Sequence, residues 1–190
     1  MNYYFISNCM ARIFLALTLE KDLNDQIISI KKELKSDVLK DVNIAWQRND
    51  YHHLTVYFVG EMEPEQISQM NEGLSTINLN SISSSIELTE ISFFPNDSSQ
   101  VLAAIVRANS HLKALNAEID QIVIKLGLGS DLKTYKPHIT LGRFKEKDRS
   151  KYEFQAFNKP LKGKVSKLEV FESEFSKGKT IYKELKSFEF

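Results

Sequence analysis

Two histidines, each followed two residues later by a threonine, have the types and spacing to do chemistry in this 190-residue chain. They are His53 and Thr55 in HHLTVYF (52–58), and His138 and Thr140 in PHITLGRF (137–144). The chain has only four histidines, so half of them sit in one repeated pattern. An imidazole titrates near neutrality, and two of them can divide acid and base roles at cellular pH. The neutral one takes a proton from an attacking water, and the protonated one gives a proton to a departing oxygen. Threonine hydroxyls can donate hydrogen bonds to non-bridging phosphate oxygens as charge builds up there. The set amounts to a metal-free recipe for in-line attack on a phosphodiester. The chain carries neither an HExxH motif nor a cysteine ligand set, its one cysteine being Cys9, so no metal or other cofactor is expected.

Both motifs read as strands, and strand side chains alternate between faces. Alternation buries Leu54, Val56 and Phe58 and leaves His53, Thr55 and Tyr57 on the opposite face. It likewise buries Ile139 and Leu141 beneath His138 and Thr140. A helix precedes each motif strand. RIFLALTL (12–19) is a strand, followed by a helix with Leu23, Ile27, Ile30 and Leu34 on one face. VLAAIVRA (101–108) is a strand, followed by a helix with Leu112, Leu115, Ile119, Ile122 and Leu126 on one face, ending near Gly127 and Gly129. Strand, helix and His-x-Thr strand therefore occur twice, and such a duplication packs about a pseudo-twofold axis. The predicted architecture is α+β and bilobal, with His53 and His138 meeting in a shared cleft. Pro64 marks the start of a further helix, SSSIELTEISFF precedes the second repeat, and KVSKLEVFESEF with IYKELKSF reads as a closing hairpin.

Composition is ordinary for a soluble globular chain, and 190 residues suffice for one well-packed bilobal domain. A single cysteine suits a reducing compartment, and MNYYFISNCM lacks the basic and apolar parts of a signal peptide. A cytoplasmic, monomeric protein with no membrane partner is expected, with residues 1–9 as an extension before a natural start at Met10. Net charge is zero but uneven. From Lys133 onward there are 15 Lys and Arg against 8 Asp and Glu, which permits a phosphate-bearing partner near the last third. Overall balance argues against tight binding along a long duplex.

WQRNDYHHLTVYFVGEM and KPHITLGRF resemble the paired HxTx motifs of the 2H phosphoesterase superfamily. They are most similar to its RNA 2',3'-cyclic phosphodiesterase branch, also named 2'-5' RNA ligases. The resemblance runs from ARIFLAL to Gly178, Tyr182 and Leu185, nearly the whole chain. It implies two antiparallel sheets flanking a cleft, and metal-free hydrolysis of a 2',3'-cyclic phosphate at an RNA end to a 2'-phosphomonoester. It also implies that His53 is the proton donor and His138 the acceptor, with Thr55 and Thr140 holding the phosphate. Partners would be RNA ends or small cyclic-phosphate nucleotides. Cyclic nucleotides or 2'-5' oligonucleotides as substrates, and a non-catalytic RNA- or nucleotide-binding module, are the alternatives.

Arg143 matches a family arginine. Plain alternation turns it away from His138, whereas a bulge at Gly142 would return it to the cleft to clamp phosphate. Tyr57 stands where family members often carry a basic residue, and could stack on a base. Phe14 shares a strand face with Arg12 and Ala16 and is a further candidate for base stacking. His52 points away from His53 and is structural, His111 lies at a helix start, and Trp46 is a core residue. FFPND (93–97) is a turn near the cleft rim with no assigned chemistry.

Overall fold

The structure is a computed structural model that describes residues 10–129, 135–145, 152–154, 156–176 and 178–190. The expected N-terminal extension, residues 1–9, lies outside the described residues. In chain order the elements are β1 (Ala11–Leu19), α1 (Lys21–Ser36), β2 (Ile44–Trp46), β3 (His53–Met62), α2 (Pro64–Leu74) and β4 (Ser85–Phe94). These are followed by β5 (Val101–Val106), α3 (Ser110–Lys125), β6 (His138–Phe144), β7 (Ala156–Ser176) and β8 (Lys179–Glu189). The architecture is α+β, and every strand pairing among the described residues is antiparallel.

Helix ends follow local chemistry. Pro64 opens α2, where Glu63 and Gln66 form a reciprocal capping box. The Asn109 side chain accepts the Leu112 backbone N–H at 2.8 Å and caps α3. Gly127, with φ of 75°, takes the left-handed conformation just past the end of α3. The apolar stripe of α1 contains one surprise. Leu23 and Ile27 are buried as expected, but so is Lys31, only 2% exposed. Its ammonium donates to the Gln47 carbonyl (2.5 Å), Asn49 Oδ1 (2.9 Å) and His52 Nε2 (2.9 Å), while His52 Nδ1 donates to Asn24 Oδ1 (2.7 Å). Burial lowers the Lys31 pKa to about 8 and that of His52 to about 3, so His52 is a neutral acceptor with a structural role. This network ties α1 to the segment that enters β3.

Two groups of four strands are visible, but they are joined into one network of pairings. The first half runs β3–β1–β7–β8, and the second runs β6–β5–β4–β7, with short β2 on the outer edge of β6. The 21-residue β7 serves both halves, pairing with β4 through its first part and with β1 through its second. At the other side the halves meet at a single bridge, Leu54 opposite Ile139. The resemblance implies two antiparallel sheets, and the long β7 joins the two groups of strands. The three helices cover one face. Ile13, Leu15, Leu17, Leu54, Leu102, Ala104, Ile139 and Leu141 are buried in the main core together with Leu112, Leu115 and Ile119 of α3. Phe14, Ala16 and Ala103 are equally buried but lie outside that core cluster, on the other face of the sheet.

Candidate active site

The two halves present the same arrangement on that face. Directly opposed residues on neighbouring strands share a face. In the first half Thr18 lies opposite His53, Ala16 opposite Thr55 and Phe14 opposite Phe58. In the second, Ile105 lies opposite His138, Ala103 opposite Thr140 and Val101 opposite Arg143. Each threonine therefore has an alanine beside it, which leaves room at the floor between the motifs. The Leu54–Ile139 bridge lies at the middle residue of both motifs, and its antiparallel sense sets His53 beside Thr140 and Thr55 beside His138.

Both motif strands carry a bulge one residue after the threonine. On β3, Ala16 opposes Thr55 while Leu15 opposes Tyr57, so Val56 is the extra residue. On β6, Ala103 opposes Thr140 while Leu102 opposes Gly142, so Leu141 is the extra residue. A bulge resets the alternation. It brings Arg143 to the exposed face in the row of His138 and Thr140, the outcome that simple alternation missed. The tight neighbour is Gly142, where a Cβ would stand 2.9 Å from Ile44 Cγ2 and 3.2 Å from the Ala45 carbonyl oxygen.

The same reset overturns two expectations in the first half. Tyr57, expected on the open face, is 4% exposed and faces α3, where its hydroxyl donates to Asp120 Oδ1 at 2.6 Å. One turn earlier on α3, Asn116 donates to the carbonyl of the bulged Val56 at 2.8 Å. Tyr57 is thus a packing residue that helps fix the bulge. Phe58, expected in the core, is 54% exposed on the histidine face instead. Phe14 does share that face, but it is only 2% exposed. It is enclosed by His53 (5.2 Å between ring centroids), Phe58 (5.6 Å), Phe171 (5.2 Å) and Tyr182 (5.1 Å), so it offers no open ring to a base.

The histidines are oriented alike. His53 Nδ1 donates to the Tyr51 carbonyl at 2.9 Å, and His138 Nδ1 donates to the Lys136 carbonyl at 3.0 Å, each two residues upstream. A carbonyl only accepts, so the proton resides on Nδ1, and in each neutral ring Nε2 carries the lone pair. The Tyr51 carbonyl also accepts from Gln47 Nε2 at 3.2 Å, which links His53 to the segment anchored by Lys31. Burial drives the His53 pKa down to about 4, with the nearby His138 charge acting in the same direction, and burial also lowers that of His138. Both rings are neutral in the resting site at pH 7. Thr18 at the edge of the first row hydrogen-bonds Glu169, and Lys167 pairs with that carboxylate at 2.6 Å. Among the described residues no group of three or more His, Cys, Asp or Glu side chains gathers as a metal site.

Apart from Phe14, the aromatic neighbours of the histidines carried no role in the sequence. Phe94 stacks on His138 with centroids 3.5 Å apart and planes 17° apart. Tyr182 meets His53 edge-on at 5.4 Å and Tyr51 at 5.1 Å, and Phe171 lies 6.1 Å from His53. Phe94 lies in FFPND and Tyr182 in the terminal segment already singled out, but their contacts depend on strand register two and three strands away.

The model of the 2'-5' RNA ligase superfamily matches residues 45–174, a stretch that holds both motifs. The chain belongs to that superfamily. An RNA 2',3'-cyclic phosphodiesterase of Archaeoglobus fulgidus is 28% identical over 185 residues, covering 94% of this chain and 99% of the relative. One of Methanocaldococcus jannaschii is 28% identical over 140 residues, 74% of this chain and 75% of its own length. The fold is shared with a Thermus thermophilus protein (TM-score 0.77, 21% identity, 94% of this chain and 97% of that one). It is also shared with Escherichia coli LigT complexed with 3'-AMP (TM-score 0.73, 20% identity, 95% and 98%).

Proposed function

We propose that this chain hydrolyses 2',3'-cyclic phosphate ends of RNA to 2'-phosphomonoesters, without a metal, through His53 and His138. The observation that carries the reading is the duplicated unit. Two imidazoles with equivalent Nδ1 anchors, each beside a threonine of its own strand, flank one floor of small residues. A binding site alone has no need for two titratable rings held this way. The relatives named RNA 2',3'-cyclic phosphodiesterase support the reaction class. The ligands in the Escherichia coli LigT structures, 3'-AMP, ATP, NADP+ and phosphate, support nucleotide phosphate as the bound chemistry.

In the proposed step, His138 Nε2 takes a proton from water as the water oxygen bonds to phosphorus. The bond from phosphorus to O3' breaks, and His53, protonated, gives its proton to O3'. The 2'-phosphate remains. Thr55 and Thr140 hydroxyls donate to the non-bridging oxygens, and Arg143 adds positive charge from the second half. Burial holds the His53 pKa at about 4, so the substrate must raise it. A phosphodiester anion within a few ångströms does this by favouring the charged imidazolium.

The test is a short RNA ending in a 2',3'-cyclic phosphate, incubated in EDTA with wild type, His53→Ala and His138→Ala. A 2'-phosphate product from wild type alone is expected. Turnover retained by both variants sinks the two-histidine mechanism, and tight binding with no turnover by any of the three favours a binding module.

A further inference from the structure

The pseudo-symmetric halves differ in what lies beyond the histidine. In the first half the row Phe58–Phe14–Phe171, roofed by Tyr182, fills the space outside His53 with rings. In the second half the matching row is Arg143–Val101–Phe94, and a valine stands where Phe14 would be. A cavity of about 370 Å³ lies on the Phe94 side of this row, lined by Glu90, Ser92, Phe94, Ile105, Tyr135 and Lys136 among others, with neither Val101 nor Arg143 in its wall. Four of these belong to the face that carries the histidines. Ile105 opposes His138, Glu90 opposes Ile105, Ser92 opposes Ala103 and Phe94 opposes Val101. The cavity therefore continues the face of the candidate active site outward from His138.

Resting on the proposed activity, we infer that this cavity seats the nucleobase of the cyclic-phosphate nucleotide and selects bases with amino donors, guanine above all. Its size suits one base and its sugar. One face of the Phe94 ring is taken by His138, while the ring also lines the cavity, so Phe94 offers a stacking platform directly coupled to His138. The polar wall is specific. The Glu90 carboxylate and Ser92 hydroxyl have no hydrogen-bond partner among the described residues, although both are only partly exposed. An ionised carboxylate only accepts hydrogen bonds. The Watson–Crick edge of guanine offers N1–H and the N2 amino group side by side, which a carboxylate can accept together. Adenine and cytosine offer one amino group each. Uracil sets carbonyl oxygens on both sides of its single N–H and would place them against the carboxylate. Lys136, whose ammonium reaches the Pro95 carbonyl at 3.4 Å, and Asp97 are exposed at the rim.

The test compares guanosine and uridine 2',3'-cyclic phosphates with glycerol 1,2-cyclic phosphate, which has no base. Wild type, Glu90→Gln and Ser92→Phe are measured, each nucleoside rate being read relative to the base-free rate of the same protein. Wild type should favour guanosine over uridine by about 10-fold or more in kcat/KM. Glu90→Gln should collapse that ratio toward one, and Ser92→Phe should raise KM for both nucleosides about 10-fold by filling the cavity. A wild-type ratio near one, or a ratio and KM that neither variant changes, overturns the base site while leaving the hydrolysis intact. If wild type turns over none of the three, the catalytic reading fails and titration calorimetry with guanosine 2'-phosphate decides the base site by itself. Binding weakened about 10-fold by Ser92→Phe upholds the site, and equal or undetectable binding in wild type and variant overturns it.

Discussion

The first half of the molecule packs its histidine against a cluster of aromatic rings, whereas the second stacks its histidine on one ring beside a cavity. The backbone is nearly the same in both: a bulge after the threonine, an alanine opposite it and an Nδ1 anchor two residues upstream. The differences lie in side chains one or two strands away, Phe14 against Val101 and Phe171 against Phe94. Duplication thus places two similar chemical groups, and divergence of the surrounding strands gives them different environments. The bulges are secured differently as well. That of β3 is held by Asn116 and Asp120 of α3 acting on Val56 and Tyr57. That of β6 sits against β2, which runs too close to Gly142 for any Cβ.

The strongest way to break the equivalence is to remove each histidine. His53→Ala and His138→Ala should each lower kcat by about 10²- to 10⁴-fold, and the double variant should lose little more than the worse single one. A single variant within a few-fold of wild type would show that the halves are not chemical partners. Next comes the packing contrast. Phe14→Ala removes a ring from the middle of the aromatic box and should cost about 3–5 kcal/mol of stability by denaturant unfolding. Val101→Ala, at the equivalent but half-buried position, should cost about 1 kcal/mol. Equal costs would mean that the box is not filled as described.

Acid should also distinguish the halves. His52 and His53, at about 3 and 4, bind protons more weakly in the fold than in the unfolded chain, as does His138. Their contribution is fully present above about pH 6.5, the unfolded value, and is lost as pH falls toward their folded-state values. Stability should decline by about 1.4 kcal/mol per pH unit for each histidine that only the unfolded chain protonates. His53→Gln should reduce this slope below pH 6 more than His138→Gln, because the rings packed around His53 exclude water more fully than the single ring on His138. A larger reduction from His138→Gln would reverse that ranking of the two environments.

The α+β duplication, the helix stripes and the His-x-Thr pairs were legible in the sequence because each is a local pattern of period two or 3.6. The facing of Tyr57 and Phe58 was not, and for Arg143 the sequence offered two facings, of which a bulge, placed at Leu141 beside the suspected Gly142, selects the open one. A bulge leaves no mark on the alternation of residue types, since V-Y-F and L-G-R each read as a continuing strand. The closure of Phe14 was also hidden, because two of its four covering rings come from β7 and β8, more than 150 residues along the chain. Lys31 and Asp120 were invisible for a related reason. Each is a charged residue whose burial depends on partners from another element.

The finest test concerns Tyr57, which the sequence assigned to substrate and the structure assigns to the interface with α3. Its hydroxyl donates to a carboxylate that is only 8% exposed, so Tyr57→Phe leaves that buried acceptor short of one donor. The cost should be about 1–3 kcal/mol, or a fall in Tm of about 2–4 °C per kcal/mol for a chain of this length. The phenyl ring keeps the packing, and the Asn116 bond to the Val56 carbonyl keeps the bulge in place. KM for a cyclic-phosphate nucleotide should therefore stay within about two-fold of wild type. A KM raised 10-fold with stability unchanged would return Tyr57 to the substrate side and mean that the bulge on β3 does not persist when substrate binds. A loss of stability with KM unchanged would place the Tyr57 hydroxyl in the interface between β3 and α3 and outside the substrate site.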